Sequence, residues 1–101
     1  MKLTCQMKEK LQHALLGEIT PQMKAVAVSY QSETVLIRCY FDRVPDEYDK
    51  ESLESIAVNF DSNLGDLGDT VKIVNVECQQ SDLSIGSLDS MDMLLYARRE
   101  Y

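Results

Sequence analysis

His13 is the chain's one histidine, and as a general base it would need a second group to orient its ring and a nucleophile within hydrogen-bond reach. The sequence marks neither: His13 falls beside Lys10 and away from the apolar stripe of its segment, as an ordinary surface histidine does. Three cysteines, Cys5, Cys39 and Cys78, form no CxxC or other short-spaced pair, and an odd number makes no disulfide framework, so reduced thiols that fill space as small hydrophobes are expected. DSNLGDLGD (61–69) invites comparison with a calcium loop of the form D-x-[DN]-x-[DN]-G. The match fails, because Gly65 stands where the third oxygen ligand belongs and Lys72 where the distal Glu belongs. Gly65 and Gly68 follow a helical pattern and precede a strand pattern, among acids that repel phosphate, so they are no nucleotide cradle. The 17 acids allow many carboxylate pairs, but a chain of 101 residues with no Trp offers little cleft to hold a sugar. These residues predict no enzyme, no cofactor and no metal.

Charge is the stronger signal. Residues 42–69 hold nine acidic side chains against Arg43 and Lys50, which equals the whole formal charge of −7. Such a surface repels nucleic acid and anionic membrane surfaces and suits a basic protein partner. The opening MKLTCQMKEK contains Glu9 and lacks the apolar run of about 7–15 residues of a signal peptide, and no apolar stretch of about 18 residues is present to cross a bilayer. A cytoplasmic location is therefore expected.

The elements that must position these residues follow from periodicity. Leu3, Met7, Leu11, Ala14 and Leu15 share one helical face, and Gly17 and Pro21 stop it, which predicts a helix over about 2–16. KAVAVSY (24–30) and TVLIRCYF (34–41) read as a hairpin around a three-residue turn, QSE. Leu53, Ile56, Ala57, Phe60 and Leu64 form a second helical stripe, predicting a helix over 46–64. TVKIVNVECQ (70–79) reads as a third strand, QSDLSIGSLDS (80–90) as a polar loop and MDMLLYARRE (91–100) as a fourth strand. With 45% hydrophobic residues the chain can bury one core, so one domain over 1–101 is expected. The order α-β-β-α-β-β predicts a two-layer α+β fold, a four-stranded, mostly antiparallel sheet with two helices on one face. The long helix between the second and third strands predicts that those two lie parallel, with hairpins on either side.

Two surfaces emerge. On the second helix, Glu47, Glu51, Glu54 and Asp61 fall at i, i+4, i+7 and i+14 on the outward side, with Asp46 and Asp49 in the first turn. The macrodipole accounts for Asp46, Glu47 and Asp49 at the N-terminus, but not for Asp61, Asp66 and Asp69 at or beyond the other end. This face reads either as a solvated surface that keeps the chain soluble or as a binding face. On the sheet, Val35, Ile37, Cys39 and Phe41 alternate inward and Leu36, Arg38 and Tyr40 outward; the fourth strand splits into Met93, Leu95, Ala97 inward and Leu94, Tyr96, Arg98 outward. Tyr and Arg dominate interface hot spots, yet Tyr is also common on solvated sheets. Charge and alternation make Asp46, Glu47, Glu51, Glu54, Asp61, Asp66 and Asp69 candidates for steering a partner and Arg38, Tyr40, Tyr96 and Arg98 candidates for anchoring it.

At ALLGEITPQMKAVAVSY, IRCYFD, PDEYDKESLE and the terminal YARREY, the chain resembles a family of small acidic bacterial immunity proteins, notably those of contact-dependent growth-inhibition systems. The resemblance spans most of the chain and carries no catalytic signature. It implies a cytoplasmic protein, not an enzyme, that binds the C-terminal domain of a toxin and blocks its active site or an exosite. Many such toxins are nucleases and therefore basic, which agrees with the charge. Free, the protein would be a monomer or a weak homodimer. The rival expectation is a self-associating structural or regulatory subunit, paired through Leu36, Tyr40, Leu94 and Tyr96 across a two-fold axis.

Overall fold

The computed structural model describes residues 5–65, 68, 71–83 and 85–98. Helix α1, Cys5–Leu15, buries Met7, Leu11, Ala14 and Leu15 and ends at Gly17, whose φ of 81° a side chain would resist. Strands β1, Met23–Gln31, and β2, Thr34–Phe41, pair antiparallel through a turn of two residues rather than three. Gln31 pairs with Thr34, leaving Ser32 and Glu33 at φ 50° and 65°, the left-handed pair that matches the twist of a tight hairpin. Helix α2, Glu47–Ser62, leads into β3, Ile73–Gln80, and the last strand, β4, is Met93–Ala97.

The sheet order is β3-β2-β1-β4, with β2 and β3 parallel and the other two interfaces antiparallel. Both helices pack on one face. There Met7, Leu11, Leu53, Ile56 and Phe60 meet Val26, Val28, Val35, Ile37, Cys39 and Phe41 in one core. Burying a Val, Leu, Ile or Phe side chain is worth about 1.5–3 kcal/mol, so this shared face fixes the layering. The α+β class, the helices on one face and the parallel β2–β3 pair are those expected from the sequence.

The expected hairpin between β3 and β4 does not form. β4 pairs instead with β1 at the opposite edge, so the described residues between β3 and β4, among them 85–92, cross the sheet's outer face. The reason is apolar surface on that face: Ala25, Ala27 and Tyr40 are buried there under Leu88, with Met91 and Leu94 packed around them. The crossing is pinned by polar bonds as well. Tyr40 Oη donates to the Asp89 carbonyl at 2.7 Å, the Tyr30 amide donates to Asp92 Oδ2 at 2.7 Å, and the Asp92 amide donates to the Val28 carbonyl at 3.0 Å. The segment that read as a polar loop is thus a strap with one buried leucine and a 3-10 turn at Ile85–Ser87.

A second departure sits inside β4. Ala27 pairs with Leu94, but its neighbour Val26 pairs with Tyr96, so Leu95 is an extra residue bulged into the strand. Up to the bulge the expected faces hold: Met93 and Leu95 pack on the helix-side core and Leu94 on the outer cluster. Beyond it they reverse. Tyr96 packs on the helix side and Ala97 stands opposite Ala25 on the outer side.

Candidate partner-binding surface

Helix α2 begins with a reciprocal cap. The Asp49 amide donates to Asp46 Oδ1 at 3.0 Å, and the Asp46 amide donates to Asp49 Oδ2 at 2.9 Å. Arg43 Nη1 bridges both carboxylates, at 3.3 Å to Asp46 and 3.0 Å to Asp49. The Asp49 amide, with Arg43 adding to it, holds the Asp46 carboxyl below the usual aspartate range. Asp49 itself is buried. Stepping the Leu53, Ile56, Phe60 stripe back by four residues lands on Asp49, so the first turn turns a carboxylate inward and leaves Tyr48 outside, 78% exposed.

On the outward side Glu47, Glu51, Glu54 and Asp61 are all exposed, on a stripe about 21 Å long at 1.5 Å per residue. Among the described residues the one ion pair on this stripe is Glu47 with Lys50, at 3.8 Å. Val58 lies within it at 61% exposure, and Val44 and Tyr48 border its N-terminal end. These three apolar side chains escaped the sequence reading, although Tyr48 and Val58 are legible on a helical wheel as positions off the core stripe. At the other end Lys10 Nζ donates to the Asn63 carbonyl at 2.6 Å, so a cation from α1 offsets the negative pole of α2. Asp66 and Asp69 lie outside the described residues.

The four anchoring candidates are brought together differently. Arg38 lies on the outer face as expected, but its guanidinium donates to Glu77 Oε2 and Tyr40 Oη, both at 3.2 Å, and pairs with Asp89 Oδ2 at 3.7 Å. The Tyr40 hydrogen bond is the first cause that holds Arg38 above its usual pKa, with Glu77 adding to it against desolvation. Tyr40 also lies on the outer face, yet the strap covers it to 2% exposure. Tyr96 faces the helices, a correction that the bulge explains. Arg98 donates to Asp42 Oδ2 at 2.7 Å and to the Pro21 carbonyl at 3.1 Å. Leu36, Tyr40, Leu94 and Tyr96 therefore form no continuous outer patch for a two-fold contact.

His13 stays apart from the two thiols that the sheet brings side by side. His13 is exposed in a shallow cleft between the helices, beside Glu9, Lys10 and Asn59, with no Ser, Thr or Cys lining it. Cys39 and Cys78 are register partners on β2 and β3, and burial pushes both thiols up, Cys39 far more. Raised thiols are poor nucleophiles. Among the described residues no three His, Cys, Asp or Glu side chains group as metal ligands do, and no helix is long and apolar enough to cross a membrane.

The molecule thus presents an open acidic helix face above a sheet whose own polar side chains are largely paired. A comparison with curated proteins finds no match. A family model described as MafI2 immunity protein matches residues 6–100, from the second residue of α1 to beyond the end of β4. With all but the first residue of α1, the whole of α2 and all four strands inside that match, the chain belongs to the MafI2 immunity protein family.

Proposed function

We propose that this protein is a non-enzymatic immunity protein that neutralises a basic toxin domain, of the kind deployed in contact-dependent growth inhibition, by binding it in the bacterial cytoplasm. The observation that carries this reading is the outward side of α2, where Glu51, Glu54 and Asp61 are exposed and have no ion-pair partner among the described residues. Carboxylates that neither cap the helix nor close a bridge remain available to a cationic guest.

A nuclease toxin must be cationic to hold phosphate, so the same groove attracts an acidic helix. Complementary charge raises encounter rates toward about 10⁸ M⁻¹s⁻¹ while a few buried anchors set the lifetime of the complex. Tyr48, Val44 and Val58 suit that second role because they are apolar, exposed and set among the acids. Such a complex would bury roughly 1,200–2,000 Å² in total.

The test is production of the toxin domain encoded beside this chain, with and without it. Cells that survive only when this protein is present, together with a stable co-purified pair, are the expected outcome. Equal killing in both cases, or survival through chemical processing of the toxin without a lasting complex, would sink the reading.

A further inference from the structure

The two edges of the sheet are treated differently. β4 closes one edge with five residues and a bulge, features that discourage a further strand. β3 forms the other edge with eight residues, Ile73–Gln80, in unbroken register with β2. Its sequence IVNVECQQ has no Pro or Lys, and its one charge, Glu77, is held by Arg38. Among the described residues no strand lies beyond it.

The direction of the open groups follows from parity. Ser81 donates its amide to the Phe41 carbonyl at 3.0 Å, and Ile73 shares the Glu33 carbonyl with Lys72 just ahead of the strand, so within the unbroken register of Ile73–Gln80 the odd-numbered residues face β2. The amides and carbonyls of Val74, Val76, Cys78 and Gln80 consequently point away from the sheet. Beside this edge α2 contributes Glu54, next to Val76 and Cys78, and Asp61, next to Val58 and Val74. Lys50 and Lys72 lie in the same two clefts, but Lys50 pairs with Glu47 and Lys72 donates to the Gly68 carbonyl at 3.4 Å.

We propose that the toxin domain completes this sheet: an extended segment of it pairs with β3 as a fifth strand and places basic residues against Glu54 and Asp61. This deepens the function proposed above and rests on it. Backbone pairing supplies affinity and alternate side chains supply selectivity. A second copy of this chain is the poorer occupant, since two-fold pairing of β3 would set two acidic α2 stripes side by side on one sheet face.

The experiment uses the complex with the neighbouring-gene toxin domain and two variants. Val76→Pro removes an amide that points outward, so the β2–β3 ladder keeps its bonds. The expected result is a tenfold or greater loss of affinity, together with slowed amide exchange at Val74, Val76, Cys78 and Gln80 when the unaltered protein is bound. Absence of that protection, or wild-type affinity in a folded Val76→Pro, overturns the proposal. If Val76→Pro fails to unfold cooperatively, exchange in the unaltered protein decides alone. The companion variant Glu54→Gln with Asp61→Asn separates the two ideas. Slower association there with intact Val76→Pro binding sinks only the strand pairing, and wild-type behaviour in both sinks the acidic-face reading as well.

Discussion

The outward side of α2 and the outer face of the sheet both collect residue types that bind proteins, but they differ in what those residues already hold. On the sheet Arg38 is divided among Glu77, Asp89 and Tyr40, whose ring lies 5.9 Å below the guanidinium, and only 19% of its side chain is exposed. Any partner that wanted this cation would first have to replace bonds already made. On α2 the acids at 51, 54 and 61 face solvent with no described counter-ion. A residue type therefore marks a binding face only where the fold leaves it unsatisfied, and here that condition separates the helix from the sheet.

The comparison is broken or sharpened most strongly by neutralising the helix. Glu47→Gln, Glu51→Gln, Glu54→Gln and Asp61→Asn together should slow association with the toxin domain by about 10–100-fold at low salt, the scale on which electrostatic steering acts. Stopped-flow rates of variant and wild type should converge near 1 M salt, where the Debye length is only about 3 Å. Folding stability should change by no more than about 1 kcal/mol, because relief of the Glu47–Glu51 repulsion at i, i+4 is offset by loss of Glu47 from the helix N-terminus and from its pair with Lys50. An unchanged on-rate would leave α2 as a solvated face and nothing more.

Loss of Arg38 should do the reverse. Arg38→Ala removes charge-assisted hydrogen bonds to Glu77 and Tyr40 and should cost about 1.5–3 kcal/mol in urea unfolding, with Tyr40→Phe costing about 1 kcal/mol through its bond to Asp89. Association of the folded variants with the toxin should stay near wild type. A stable Arg38→Ala that binds poorly would exchange the roles of the two regions.

Much of this arrangement is legible in sequence because it follows from period. The α2 stripe at 53, 56 and 60 fixes which acids face out, and alternation along β2 sends Val35, Ile37, Cys39 and Phe41 to the helices. Periodicity fails where one residue changes the phase or a single contact sets the path. The bulge at Leu95 reverses Tyr96 with no Gly or Pro to announce it. Leu88 is the lone buried leucine among the Ser, Asp and Gly of 80–90, so the strap that covers Tyr40 and carries the chain to the far edge read as a turn. Asp49 read as one more acid of the first turn, because a carboxylate on the core stripe makes sense only once Arg43 and the cap are placed beside it.

The smallest predicted effect asks whether the face or the total charge matters. Asp42 accepts from Arg98 at 2.7 Å, a bond that lowers its pKa and ties the end of β4 to the end of β2. Asp42→Asn should cost about 0.2–1 kcal/mol at pH 7, as a largely exposed pair does. A depressed carboxylate stabilises the fold above its unfolded pKa of about 3.9 and loses that contribution as it protonates in the folded state, so the wild-type and variant urea midpoints should draw together below about pH 4. The substitution removes one negative charge, as Glu54→Gln does, but away from α2. If steering belongs to the helix face, Asp42→Asn should leave the low-salt association rate unchanged within error while Glu54→Gln lowers it. Equal slowing by the two would mean that the partner senses the molecule's whole field, and the contrast between helix and sheet would not govern encounter.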